Sequence, residues 1–301
     1  MVQLAADGGT THEIRAVTMS YYIKKIIVPV DLSETSLNAL DVAVALAKKH
    51  KAFIYVLNVI EPNFGIFSED YDSSFSHGKM NTKDVLDALI NSIVHVHGVE
   101  PKLIQEEGHV VDQVIKLTFL EQCDLIVMGT HGASGFREGF VGSNTYSVIK
   151  HSNCPVLSIP TKKKYSTFKK ILFPIRPVTG ALSKYDIVSP FLNKQSNIEV
   201  LGLSYKQIEK ETNVLDKIVE EVKDSIDKDK IYVNTAWGSG NNISEDILNY
   251  SQQNLFDLIV STPILDITSK SGFIGPHAQK IINSARVPIL TIKAIGVPAY
   301  A

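Results

Sequence analysis

The chain contains itself twice. Lys24-Lys25-Ile26-Ile27-Val28-Pro29-Val30-Asp31 returns as Lys169-Lys170-Ile171-Leu172-Phe173-Pro174-Ile175-Arg176, and Asp124-Leu125-Ile126-Val127 returns as Asp257-Leu258-Ile259-Val260. From the second anchor the copies align without a gap to Cys154-Pro155-Val156-Leu157 and Val287-Pro288-Ile289-Leu290. The first anchors are offset by 145 residues and the second by 133, so the later copy is 12 residues shorter in between. A duplication pinned at two places implies tandem domains of one fold, and 301 residues suit two such units. The expected division is residues 19–160, a polar, basic linker at 161–166, and residues 167–301. Residues 1–18 lack an apolar signal core and precede Met19, just ahead of the first strand; they are expected to be an upstream leader or cloning remnant, poorly ordered.

Within each copy, short apolar runs alternate with helical periodicity. In the first, residues 26–30 read as a strand, and Ser33 is placed to cap a helix carrying Leu37, Leu40, Val44 and Leu46. Strands are predicted at 53–59, 102–105, 125–128 and 156–159. Helices are predicted through Val85, Leu89, Ile93 and Val96, over 111–120 and over 146–150. Strands apolar on both faces and separated by helices imply an α/β fold with an open, Rossmann-like parallel sheet in each half. Residues 62–79 are rich in Asn, Ser, Asp and Gly and read as a long surface loop, either folding over a ligand or a tolerated insertion. A purely structural α/β unit would share this pattern, so function has to be read from a site.

Between Gly129 and Ser143 the chain reads GTHGASGFREGFVGS: Gly129, two residues, Gly132, nine residues, then Gly142 and Ser143. An apolar run precedes it and a helix-like stretch, 144–151, follows. Glycines let backbone N–H groups approach phosphate oxygens, and a helix N-terminus adds positive potential. In open parallel sheets ligands sit at the carboxyl ends of the strands. The first strand ends Pro29-Val30-Asp31. A carboxylate there could accept from ribose hydroxyls or an adenine amino group, or it could serve as a helix-terminal cap ahead of Ser33. The second ends Asn58-Val59-Ile60-Glu61, putting Val59 where its backbone can read an adenine edge.

The G-x2-G-x9-G-[ST] spacing resembles, without a gap, the nucleotide-binding signature of ATP-binding universal stress proteins. The resemblance covers residues 22–293 and is tightest at the first strand and the glycine loop. It implies two adenine-nucleotide α-hydrolase-like domains. Pro29, Val30, Asp31 and Val59 would contact adenine and ribose; Met128 and Gly129 would line the ribose side; Gly132, Gly142, Ser143 and Asn144 would hold the phosphates. The implied ligand is ATP, ADP or AMP, and a magnesium ion bridging the phosphates would need few protein ligands. His131, between two motif glycines, either approaches phosphate or is an exposed loop histidine. Arg137 either meets a terminal phosphate or is solvated. The resemblance also implies that residues 155–159 and 288–292 pair across a pseudo-two-fold axis, so that one chain mimics a homodimer, with further dimerisation through other surfaces left open.

The second copy departs from the pattern. At the 133-residue offset Thr262 stands for Gly129, Leu265 for Gly132 and Pro276 for Ser143; Gly275 alone matches, at Gly142. Leu265 puts a branched side chain where backbone must approach phosphate, and Pro276 removes a hydroxyl and an N–H. Arg176 replaces Asp31. The second domain is therefore expected to be degenerate.

Other chemistries fail on their own motifs. A G-x-x-x-x-G-K-[ST] loop is missing, and Gly238-Ser239-Gly240 is followed by Ile243 where a dinucleotide fingerprint needs glycine, reading instead as a turn ahead of a helix capped by Ser244. No H-E-x-x-H or Cys/His cluster suggests a metal. Cys123 and Cys154 read as buried reduced thiols. The net charge of -2 argues against non-specific nucleic-acid binding. Residues 19–160 hold 11 Lys/Arg against 16 Asp/Glu, and residues 161–301 hold 18 against 14, opposite signs that would favour docking of the halves or reflect drift on solvated faces. No apolar stretch approaches the ~20 residues of a membrane span, so a cytoplasmic location is expected. The leading expectation is an ATP-sensing stress or signalling protein with one site per chain and a partner surface on the other half. The rivals are an enzyme of a related fold that transfers adenylyl groups or weakly hydrolyses ATP, and a nucleotide-free scaffold.

Overall fold

The repeated Lys-Lys and Asp-Leu anchors are tied to each other in space. In the computed structural model, Asp124 Oδ2 accepts from the backbone N–H groups of Lys24 and Lys25 at 2.7 and 2.9 Å. Asp257 does the same for Lys169 and Lys170 at 2.9 and 3.0 Å. Lys25 Nζ then donates to the Glu121 carbonyl at 2.7 Å, and Lys170 Nζ to that of Asn254, also at 2.7 Å. Each aspartate fixes the start of one strand against its neighbour, and each lysine caps the carbonyl end of the helix leading in. Residues 21–61, 81–130, 142–160, 168–175, 181–203, 209–227, 232–238, 242–262, 265–266 and 273–293 are described.

The first repeat runs β1 (Lys25–Pro29), α1 (Glu34–His50), β2 (Phe53–Ile60), α2 (Thr82–His97), β3 (Lys102–Glu107), α3 (Val110–Glu121), β4 (Leu125–Gly129), α4 (Ser143–His151) and β5 (Val156–Ile159). The second runs β6 (Lys170–Ile175), α5 (Ala181–Val188), a 3-10 turn at Ser189–Phe191, β7 (Asn197–Leu203), α6 (Glu209–Asp227), β8 (Tyr232–Gly238), α7 (Ile243–Gln253), β9 (Leu258–Ser261), β10 (Leu265–Asp266), β11 (Phe273–Ile274), α8 (Pro276–Ser284) and β12 (Ile289–Thr291). Each strand predicted in the first repeat is present, with ends moved by a residue or two. Ser33 caps α1 as its sequence position suggests, accepting from Ser36 N. One cap differs: α7 is capped by Asn242, whose side chain accepts from Glu245 N, while Ser244 is buried one residue inside the helix and donates to Asn242 Oδ1.

One ten-stranded sheet carries both repeats in the order β3-β2-β1-β4-β5-β12-β9-β6-β7-β8. Neighbours are parallel throughout except at the centre, where β5 and β12 pair antiparallel with Leu157 opposite Leu290. The last strand of each repeat thereby covers an edge that would otherwise be open. Alternation splits the core between the faces: Ile26 and Val28 pack with α1, α2, α5 and α6, and Ile27 with α3, α4, α7 and α8. A further contact links the repeats. At the end of α1, Lys49 Nζ donates to the Pro190 and Leu192 carbonyls at 2.7 and 2.6 Å, and burial pushes its pKa down.

Reversal at the β5–β12 junction sends the strands of the two repeats in opposite directions, so their carboxyl edges face opposite ways. Residues 1–18, the 62–79 loop, the 161–166 linker and Arg176, all singled out in the sequence, lie outside the described residues. Cys123 is buried and Cys154 half-buried, both as free thiols; burial pushes them up to about 12 and about 11.

Candidate functional site

Three adjacent strands, β2, β1 and β4, bring their carboxyl ends together, and the helix starts that follow them complete the rim. Pro29, Val30 and Asp31 leave β1, Val59 is the penultimate residue of β2, and Met128 and Gly129 end β4. Gly142, Ser143 and Asn144 open α4. His131, Gly132 and Arg137 lie outside the described residues.

The exit from β1 is a tight turn. Leu32 holds a left-handed backbone, φ 65°, which is costly for a branched residue. Its side chain packs against the apolar cluster beneath α1. The turn folds Ser33 back on Asp31, whose Oδ1 accepts from Ser33 N at 3.0 Å and from Ser33 Oγ at 2.5 Å. Asp31 thus performs the helix-entry role that the sequence left open, and it remains exposed at the rim.

Gly129 is explained by packing before any ligand is considered. A Cβ there would lie 2.8 Å from Thr35 Cβ and 2.9 Å from the Thr35 carbonyl carbon, in the buried first turn of α1. Its carbonyl accepts from Thr145 Oγ1 at 2.8 Å, and Gly142 N donates to the Thr130 carbonyl at 2.6 Å. These bonds bind the start of α4 to the end of β4 across the glycine loop. We expect Gly129→Ala to destabilise the protein by about 1–3 kcal/mol in urea unfolding, because backbone rather than a pliable side chain must yield. A smaller effect would show that α1 is free to shift.

Among the described residues no side chain caps the N-terminus of α4. Gly142 is its N-cap at φ −56°, ψ 147°, with no side-chain cap bond and no acidic residue in the first turn, and Ser143 and Asn144 are exposed. The first N–H groups of a helix have no partner within it, so this terminus presents donors and positive potential to the rim.

An amide relay, not anticipated from the sequence, underlies the β1–β2 end of the rim. Asn58 is 6% exposed. Its Nδ2 donates to the Val30 carbonyl at 2.8 Å, and its Oδ1 accepts from Gln105 Nε2 at 3.2 Å. These bonds join residues 28 and 47 positions apart in sequence, so no local pattern announces them.

The second repeat keeps the helix start but differs at the residues around it. Gly275 caps α8 at φ −54°, ψ 147°, again without a side-chain cap, but the next residue is Pro276. Leu265, at the Gly132 position, pairs with Ile274 in the β10–β11 ladder, so the backbone there is engaged with itself.

The universal stress protein family matches residues 23–160. The first half is similar to universal stress protein MJ0531 of Methanocaldococcus jannaschii, 31% identical over 145 residues, which are 47% of this chain and 84% of the relative. It is similarly close to universal stress protein Sll1654 of Synechocystis, 31% identical over 140 residues, 46% of this chain and 85% of the relative. The fold is similar to that of a universal stress protein from Archaeoglobus fulgidus, with a TM-score of 0.66 at 21% identity, covering 89% of this chain and 98% of that one.

Proposed function

The chain belongs to the universal stress protein family, and on that footing we propose that its first repeat binds one adenine nucleotide per chain. One observation carries the proposal: the complete Gly129-x2-Gly132-x9-Gly142-Ser143 spacing leads into a helix start with no side-chain cap, at the carboxyl edge where Asp31, Val59 and Met128 also meet. The residues present fit such a ligand. The N–H groups opening α4 face the phosphates as donors, and Asp31, kept off the phosphate end by its charge, accepts from the ribose. The main chain of Val59 reads the base. A magnesium ion accompanying the phosphates would offset their charge.

In the second repeat Pro276 and the paired Leu265 leave no comparable cradle, so occupancy of a single site reports adenine-nucleotide supply while the other half offers a surface to a partner. The antiparallel β5–β12 junction supports reading one chain as the counterpart of two paired single-domain copies. Among the described residues no helix is long and apolar enough to cross a membrane, and we place the protein in the cytoplasm.

Mass spectrometry of ligand released from the purified full chain, followed by calorimetry with ATP, tests this reading. We expect ATP, ADP or AMP in the released fraction and one site per chain. An acyl-adenylate would point to group-transfer chemistry instead, and two equivalent sites or none would overturn the proposal.

A further inference from the structure

The base end of the first repeat differs from that of the second by one rung of the sheet. The β1–β2 ladder stops at Pro29 opposite Leu57, whereas the β6–β7 ladder continues past Pro174 opposite Leu201 to Ile175 opposite Gly202. Matching the rungs equates Val30 with Ile175 and Asn58 with Gly202. Gln105, opposite Asn58, then corresponds to Trp237, opposite Gly202. The Trp237 ring lies over Gly202, with ring atoms 2.5 and 2.6 Å from where a Cβ would stand. Where the second repeat has a bare glycine under an indole, the first has a buried amide held by a second amide.

The backbone shows what that amide changes. In a parallel ladder the N–H and C=O of one residue point to the same neighbour, and direction alternates along the strand. Leu57 faces β1, since its carbonyl accepts from Val30 N at 2.8 Å. Ile60 faces away, its carbonyl accepting from Gly108 N at 3.1 Å. Val59 therefore faces β1 as Leu57 does, and a continued ladder would carry its N–H to the Val30 carbonyl. That carbonyl is taken by Asn58 Nδ2 instead. Gln105, bonded to Asn58 Oδ1, fixes which end of the amide points at β1.

We propose that Asn58, oriented by Gln105, is the positioning residue that determines base selectivity: by claiming the Val30 carbonyl it ends the β1–β2 ladder one rung early and frees the main-chain donor and acceptor of Val59 to pair with the amino and ring-nitrogen edge of adenine. This inference rests on the nucleotide reading above. A guanine edge presents an acceptor and a donor in the opposite order to adenine, so a fixed donor–acceptor pair on Val59 rejects it.

The test uses the full chain, with Asn58→Leu to delete the amide and Gln105→Ala to release its orientation from outside the core. Affinities for ATP, GTP and inorganic tripolyphosphate are measured by calorimetry, and exchange of the Val59 amide is followed by NMR. In the parent protein we expect a clear preference for ATP over GTP and a Val59 amide that exchanges rapidly until ATP is added. Asn58→Leu should cut ATP affinity about 10–100-fold, shrink the ATP/GTP ratio, leave tripolyphosphate binding unchanged and protect the Val59 amide without ligand. Gln105→Ala should move the same readouts in the same direction by a smaller factor. An unaltered ATP/GTP ratio and an unaltered Val59 exchange rate in Gln105→Ala and in folded Asn58→Leu would overturn the positioning role while nucleotide binding stands. A parent protein that binds neither ATP nor tripolyphosphate would instead remove the reading on which it rests.

Discussion

Ser143→Pro should lower affinity for ATP by roughly 10–150-fold, the equivalent of about 1.5–3 kcal/mol for hydrogen bonds to a charged ligand, while leaving the protein as stable as its parent. The two effects separate because Ser143 is the first residue of α4, directly after its Gly142 cap. Proline is well tolerated at that position, where the N–H it lacks has no helical partner and its fixed φ suits the helix. The second repeat supplies the precedent: α8 starts with Pro276 behind a cap whose dihedrals differ from those of Gly142 by 2° in φ and none in ψ. Calorimetry with ATP and urea unfolding of the same sample check both halves of the expectation. Gly132→Val, which crowds the loop with a branched side chain, should go further and abolish binding. Unchanged affinity in both variants would mean that the loop does not hold phosphate.

Truncation at the junction should have the largest effect on stability. Leu157 and Leu290 face each other across the antiparallel pair and are both 0% exposed. Changing either to Ala should cost about 2–5 kcal/mol in urea unfolding, as large-to-small changes in well-packed cores do. The pair spans only three rungs, Val156 to Ser158 against Thr291 to Ile289, so side-chain packing rather than ladder length must hold it. A double-mutant cycle should therefore return a coupling of about 0.5–3 kcal/mol. Coupling indistinguishable from zero would show that other contacts, such as Lys49 against the 3-10 turn, join the repeats.

Much of this was legible in the sequence because the relevant signals are local. Strands buried on both faces appear as continuous apolar runs, and the cap at Ser33 sits at its expected distance from the first apolar position of α1. The meeting of the β1, β2 and β4 ends follows from the strand order of such sheets. What escaped is non-local or depends on register. The offset of 145 residues equates Asn58 with Leu203, whereas the ladder equates it with Gly202, because the connection from β1 to β2 is one residue longer than that from β6 to β7. Gly129 reads as part of a ligand loop, and no local pattern announces that Thr35 packs against it as well. Asn242 and Ser244 are both ordinary capping residues two apart, and only the backbone shows which one the helix uses. Lys25 and Asp124 marked a repeat without revealing that Asp124 holds the start of β1 while Lys25 caps the end of α3.

The central antiparallel pair has a consequence for descent. Two identical subunits meeting across a symmetry axis inherit every change in duplicate, so a proline at the head of one ligand helix would appear in its mate. Here the mates are successive stretches of a single chain, and Pro276 heads α8 while Ser143 heads α4. In a tandem chain each half is free to change without its partner, except at the shared seam between β5 and β12, where a change in one half must still be answered by the other.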